Sequence, residues 1–148
     1  MKLVIAGIIQ DQDYFAARVE PYVDGTTVEY IGSVGPDQRA DVLGGALALL
    51  HLISFDEPFG LSLIESMACG TPVIAFDRGS MPELIRHGVT GYIVDDVEGA
   101  KTAVNAVRTL DRSTCRADVE KHFTSTRMAR DYVRVYREIL NGEARDDQ

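Results

Sequence analysis

Apolar and polar positions change rhythm repeatedly along this chain, and each change marks a boundary. Lys2 to Gly7 (KLVIAG) is a short apolar run closed by glycine. Phe15, Val19 and Tyr22 then recur at helical spacing, predicting a helix over Asp11 to Tyr22 that Pro21 disturbs near its end. Thr27 to Gly32 (TVEYIG) predicts a second strand. An Ala/Leu/Gly-rich helix over Asp37 to Leu50 follows and runs into the apolar segment Leu49 to Ser54, which leaves the boundary with a third strand open. Phe59 to Cys69 is the next predicted helix, closed by Gly70. Pro72 to Phe76 (PVIAF) has β-branched residues without alternation, the pattern of a strand buried on both faces between parallel neighbours. Ser80-Met81-Pro82-Glu83 matches the S-x-x-E capping box, so a short helix is expected from there to Gly88. Thr90 to Val94 (TGYIV) is a fifth strand. Three helices complete the pattern: Val97 to Leu110 with a stripe of Ala100, Val104 and Val107; Ser113 to Phe123; and Met128 to Leu140 with Met128, Tyr132, Val135 and Ile139 on one face.

Strand and helix thus alternate through most of the chain with short connections. That alternation predicts an α/β fold, a parallel sheet with helices on both faces. With 148 residues and 45% hydrophobic content, one sizeable core is expected. The expected domain covers residues 1–140, with 141–148 a polar, disordered tail. In open parallel sheets, ligands bind at the carboxyl ends of the strands, so the loops after Gly7, Gly32, Ser54 and Phe76 are the ones to watch.

Charge and cysteine content narrow the function classes. The formal net charge is −8 with the basic residues scattered, which argues against nucleic acid as a partner, since phosphate tracking needs clustered Lys and Arg. Cys69 and Cys115 have no metal-ligand spacing, and no secretory apolar region opens the chain, so a reducing cytoplasmic compartment is expected. No apolar run approaches the roughly 18 to 20 residues of a membrane helix. Peripheral membrane contact stays open, although the acidic balance gives anionic lipid little to attract.

The stretch FDEPFGLSLIESMACGTPVIAF, from Phe55 to Phe76, carries the candidate chemistry. The backbone N–H groups of Phe59, Gly60 and Leu61 fall at a predicted helix N-terminus, where unpaired donors and the positive end of the helix dipole favour an anion. Glu65 falls about one turn into the helix, on the side of Leu61, where a carboxylate can accept two hydrogen bonds from a vicinal diol such as ribose. Glu57 precedes the turn, at the mouth of the cleft. Together they outline a nucleotide-sugar site. Structural alternatives stay open at this point: Asp56 or Glu57 as a counter-charge to the helix, Glu65 as a solvated helix residue, Cys69 as a small buried residue and Glu83 as a capping side chain. His51, His87 and His122 are isolated, and a structural or exposed role is expected for each.

Glu57-Pro58-Phe59-Gly60-Leu61, with Glu65 eight positions after Glu57, resembles the E-x7-E motif of retaining GT-B glycosyltransferases, the "glycosyl transferases group 1" family. MACGTPVIAF, RGSMPELI, HGVTGYIVDD and the closing helices are similar to that family's C-terminal, donor-binding domain, with Val28 to Gly32 as its preceding strand and glycine loop. The resemblance covers Lys2 to about Leu140. It implies a Rossmann-like domain, one half of a GT-B enzyme, transferring a hexosyl group from a nucleotide sugar to an acceptor. Glu57 would bind donor-sugar hydroxyls near the reaction centre. Phe59, Gly60 and Leu61 would contact sugar and diphosphate by backbone, Glu65 would hold the ribose diol, and Gly32 and Ser33 would approach the base or diphosphate.

The resemblance also implies a UDP-, GDP- or ADP-linked hexose as substrate and no metal or other cofactor, protein charge stabilising the leaving diphosphate. The family's Arg and Lys that clamp the diphosphate lie before the strand that here begins at Lys2, so this chain does not contain them. The N-terminal acceptor-binding domain is likewise absent, to be supplied by a missing segment or a partner chain, and the isolated chain is expected to be incomplete for catalysis. Leu52 stands where many members carry proline. Two alternatives remain: a non-catalytic interaction or nucleotide-binding module of the same architecture, and a related sugar-nucleotide epimerase, against which the EPFGL context speaks.

Overall fold

A computed structural model describes Met1–Asn141, and of the expected tail, residues 142–148 lie outside the described residues. The chain divides into two compact units, Met1–Val42 and Leu43–Gln148.

In the first unit, β1 (Leu3–Ile5) and β2 (Val28–Tyr30) pair in parallel with Leu3 opposite Val28. Between them α1 (Gln12–Arg18) is capped by Asp11, whose carboxylate accepts the Tyr14 N–H at 2.8 Å. The helix stops short of Tyr22: Pro21 lacks an N–H for an α-helical bond, and Glu20–Tyr22 is a separate 3-10 turn. Asp24 closes the turn into β2, accepting from the backbone of Thr26, Thr27 and Val28 at 2.6–3.0 Å. Those three donors hold its carboxyl well below the usual carboxylate range.

The helix α2 runs Pro36–Gly45, and β3 is only Leu49–His51. The predicted helix to Leu50 was thus too long, because an unbroken apolar run carries no periodicity to separate helix from buried strand. In the second unit β3, β4 (Val73–Phe76) and β5 (Gly91–Val94) form a parallel sheet in that order. Val73, Ile74 and Ala75 are fully buried, as the non-alternating run predicts for a strand covered on both faces. Gly91 is required by the pairing, since a Cβ there would sit 2.1 Å from the Val73 carbonyl oxygen.

One face of this sheet is covered by α3 (Leu61–Ala68), the single turn α4 (Met81–Leu84) and α6 (Arg112–His122), which place Leu63, Met67, Met81, Leu84, Cys115 and Val119 against Val73 and Ala75. Fully burying a side chain such as Leu63 or Met67 contributes roughly 1.5–3 kcal/mol. The other face takes Ala100, Ala103 and Val107 from α5 (Val97–Ala106) and its 3-10 extension, packed on Ile74. The expected stripe of Ala100, Val104 and Val107 thus faces this cluster, with Val104 partly buried, and Ala103 joins it.

Helix α3 ends as predicted at Gly70, which takes a φ of 75°. The Gly70 N–H reaches the Met67 carbonyl and the Thr71 N–H reaches Ser66, closing the last turn in a Schellman arrangement. Arg112 then locks this corner: its guanidinium donates to the carbonyls of Ala46 and Gly44 and to the Thr71 hydroxyl at 2.6–2.8 Å. Helix α7 (Ser125–Leu140) starts one turn earlier than expected because Thr124 caps it, accepting from Arg127 N. Its predicted stripe of Met128, Tyr132, Val135 and Ile139 is present but faces outward, and each is exposed. Among the described residues no helix is long and apolar enough to cross a membrane.

Candidate functional site

The candidate loop leaves β3 and reaches α3 through Asp56–Gly60. Helix α3 begins at Leu61 rather than Phe59, because Gly60 occupies the N-cap in the left-handed region with φ of 89°. A Cβ at Gly60 would press on the side chains of Leu63, Leu84 and Met81 at 3.2–3.3 Å. Glycine is therefore demanded by backbone angle and by space together. Of the three backbone donors expected to face a ligand, Phe59 N–H already meets the Glu57 Oε1 at 3.5 Å. Leu61 opens the helix proper, in the first turn, where an N–H has no intrahelical acceptor. Glu65 lies one turn further along α3, half-buried.

The turn between β4 and α4 holds this loop in place. Ser80 N–H donates to the Glu57 carbonyl at 2.9 Å, and the Ser80 hydroxyl donates to the Phe59 carbonyl at 2.9 Å. Gly79, at φ of 54°, comes so close that a Cβ would lie 2.4 Å from the Glu57 carbonyl oxygen. Two loops meeting backbone to backbone leave Glu57 little room to drift. The predicted capping box is overturned here: Ser80 has helical angles (φ −77°, ψ −1°) and its side chain caps nothing in α4. An N-cap residue needs extended angles to turn its oxygen back on the helix. α4 also ends at Leu84, well before Gly88, with Ile85 extended. Glu83 thereby loses its capping explanation. It is exposed and lines a groove of about 460 Å³ with Phe59, Ser80, Arg86 and Asp118 among its other walls.

A cavity of about 220 Å³ opens at the carboxyl ends of the sheet, lined by Ile53, Ser54, Phe76, Asp77, Arg78 and Asp95. It joins two of the loops that the switch-point rule singles out. Arg78, a cationic residue of its wall, went unnoticed in the sequence because no spacing ties it to Ser54.

His51 is the other residue that sequence reasoning missed. It stands at the end of β3 with its Nε2 3.9 Å from the Glu57 Oε2, the two side chains 14% and 22% exposed. That nitrogen is buried and makes no hydrogen bond among the described residues. Burial holds the imidazole below its ordinary pKa, against the pull of the Glu57 charge. The expectation of an isolated histidine fails here, since the loop folds back over six positions. By contrast, His87 is structural, its Nδ1 accepting the Ile93 N–H and its ring edge-on to Tyr92.

Gly32 and Ser33 lie in the first unit, just beyond β2. Gly32 takes φ of 71°, its carbonyl accepts the Gly7 N–H at 2.8 Å, and Tyr30 Oη donates to the Gly7 carbonyl at 2.7 Å. Ser33 is exposed. Among the described residues no group of three or more His, Cys, Asp or Glu side chains could hold a metal ion.

Comparison with known proteins gives a consistent result. The sequence profile of the family described as "Glycosyl transferases group 1" matches residues 1–120. N-acetyl-alpha-D-glucosaminyl L-malate synthase of Bacillus anthracis is 34% identical over 108 residues, 68% of this chain and 27% of that protein. The chain therefore spans about a quarter of the length of that relative. AviGT4, a glycosyltransferase involved in avilamycin A biosynthesis, superposes with a TM-score of 0.79 at 28% identity, over 95% of this chain and 44% of that one. HepE of Anabaena, solved in complex with UDP-glucose, superposes with a TM-score of 0.74 at 21% identity, over 93% of this chain and 41% of that one, a likeness of fold. The α/β architecture of parallel strands flanked by helices is that of the Rossmann-like halves of GT-B glycosyltransferases.

Proposed function

Because the chain belongs to the glycosyl transferases group 1 family, we propose that it is the C-terminal, donor-binding domain, residues 1–140, of a retaining glycosyltransferase that moves a hexosyl group from a nucleotide sugar to an acceptor. The observation that carries this reading is the Asp56–Gly60 loop, pinned by Gly79 and Ser80 at the N-terminus of α3 with Glu65 one turn beyond.

Each part of the donor finds its chemistry there. The diphosphate faces the first-turn amides and the positive end of α3, where unpaired donors favour an anion. Glu65 accepts from the ribose diol. Glu57 accepts from the sugar hydroxyls beside the reacting carbon, holding the sugar where the bond to the diphosphate breaks. HepE, alike in fold, was solved with UDP-glucose, which makes that donor the first to try. Catalysis needs the acceptor-binding half, supplied by further chain or by a partner, and the outward apolar stripe of α7 is available to pack against it. The free thiols of Cys69 and Cys115 suit a cytoplasmic setting.

Calorimetric titration of the chain with UDP, GDP and ADP and their glucose conjugates tests the reading. One nucleotide should bind, and Glu65→Gln should weaken it by about 1–3 kcal/mol, the cost of losing a charged hydrogen-bond partner. A folded chain that binds none of them is instead a module that kept the architecture without the ligand.

A further inference from the structure

We propose that His51 is a positioning residue for Glu57, its imidazole Nε2–H donating to the carboxylate and setting the oxygens offered to the donor sugar. This rests on the donor-binding reading above.

Both partners are anchored by backbone. His51 is paired with Ala75 in the β3–β4 ladder, and Ala75 is fully buried in the core strand. Glu57 is held through its carbonyl by Ser80 N–H and by the close approach of Gly79. The side chains therefore meet with little backbone freedom, and the remaining adjustment lies in the Glu57 torsions. At 3.9 Å the Nε2 to Oε2 separation is about 1 Å beyond a hydrogen bond.

Among the described residues the Glu57 carboxylate has one other tether, its Oε1 accepting the Phe59 N–H, and at 3.5 Å it is weak. That amide is the group assigned to sugar and diphosphate. A donor that takes the Phe59 N–H must displace the carboxylate from it. His51 Nε2, buried and without a hydrogen-bond partner, is the group the displaced carboxylate meets. The bond so formed would point the second oxygen at the sugar. A purely packing role would be served by an apolar ring, which leaves no nitrogen orphaned. Burial also favours the neutral imidazole, which still carries one N–H to donate.

The experiment uses the whole chain, titrated with UDP, GDP and ADP and with UDP-, GDP- and ADP-glucose. His51→Phe, of similar volume but without a donor, should weaken the glucose conjugate that binds by about tenfold while leaving the free diphosphate within about twofold. His51→Gln, whose amide nitrogen reaches close to the Nε2 position, should recover most of that loss. Independently of any donor, Glu57→Gln should shift the His51 imidazole 15N resonances. Equal losses for nucleotide and nucleotide sugar, or no loss for either, would overturn the positioning role. Wild-type chain that binds neither class would overturn the donor reading itself and this role with it.

Discussion

The two units speak the same β/α language with unequal conviction. In the unit from Leu43 onward, β4 disappears into a core built from two helical layers, and every fully buried hydrophobic side chain among the described residues lies there. In Met1–Val42 no residue is fully buried, and Leu3 and Val4 keep 43% and 42% of their surface exposed. What holds that first unit is the β1–β2 pairing, the Asp11 cap, the Asp24 turn, the Lys2–Glu29 ion pair at 2.6 Å and the Phe15–Tyr30 ring contact at 4.9 Å. The difference matters for the candidate segments. The Glu57 loop is braced by backbone contacts from the turn that leaves the buried strand β4, whereas the Gly32–Ser33 loop hangs on the short Gly7 and Tyr30 bonds. Parallel pairs depend on cover from both faces, so the first unit should open at lower cost than the second.

The sharpest way to break the contrast is to remove the burial that creates it. Gly91→Val should cost more than about 4 kcal/mol or prevent folding, because the Val73 carbonyl occupies the place of the new Cβ; urea denaturation followed by circular dichroism would show it. Met67→Ala, which empties a fully buried site, should cost about 2–5 kcal/mol in the same measurement. Gly79→Ala places a strained residue against the Glu57 backbone and should cost about 1–3 kcal/mol. Its amide shifts should move at Asp56–Gly60 and Ser80 while the β4 amides stay protected, and the binding of any nucleotide sugar should fall.

In the first unit, Val4→Ala should cost under about 1 kcal/mol, since the half-exposed side chain recovers little burial. Hydrogen exchange should find β1 amides opening well before those of β4. The smallest effect is electrostatic. Asp24 has a depressed folded pKa, so its contribution is fully present above the usual value of 3.8 and is lost progressively as pH falls from there through the lower folded value. The Thr27 amide resonance should therefore hold steady through the normal carboxylate range and shift only in stronger acid, and Asp24→Ala should abolish that late transition.

Much of this was legible in the chain itself. The run PVIAF announced a strand covered on both faces, Gly70 announced the end of α3, and the spacing of Met128, Tyr132, Val135 and Ile139 announced α7. Those signals are local, carried by side-chain periodicity or by one backbone angle, and they survive folding unchanged. The failures share a different cause. Ser80 looked like a cap because Glu83 stands three residues on, but its hydroxyl had a stronger claim from the Phe59 carbonyl, 21 positions away. The end of α2 was hidden because an apolar run serves a buried helix and a buried strand equally well.

By itself, then, the sequence determined the alternation of strand and helix, the parallel core strand, the glycine turns and the E-x7-E loop, all written in spacing and in residue chemistry. Tertiary structure alone decided that Gly79 and Ser80 brace Glu57, that Arg78 enters the cavity at the strand ends and that His51 faces the Glu57 carboxylate. Those relations join residues from different turns of the chain, and their distances exist only once burial has brought the loops together.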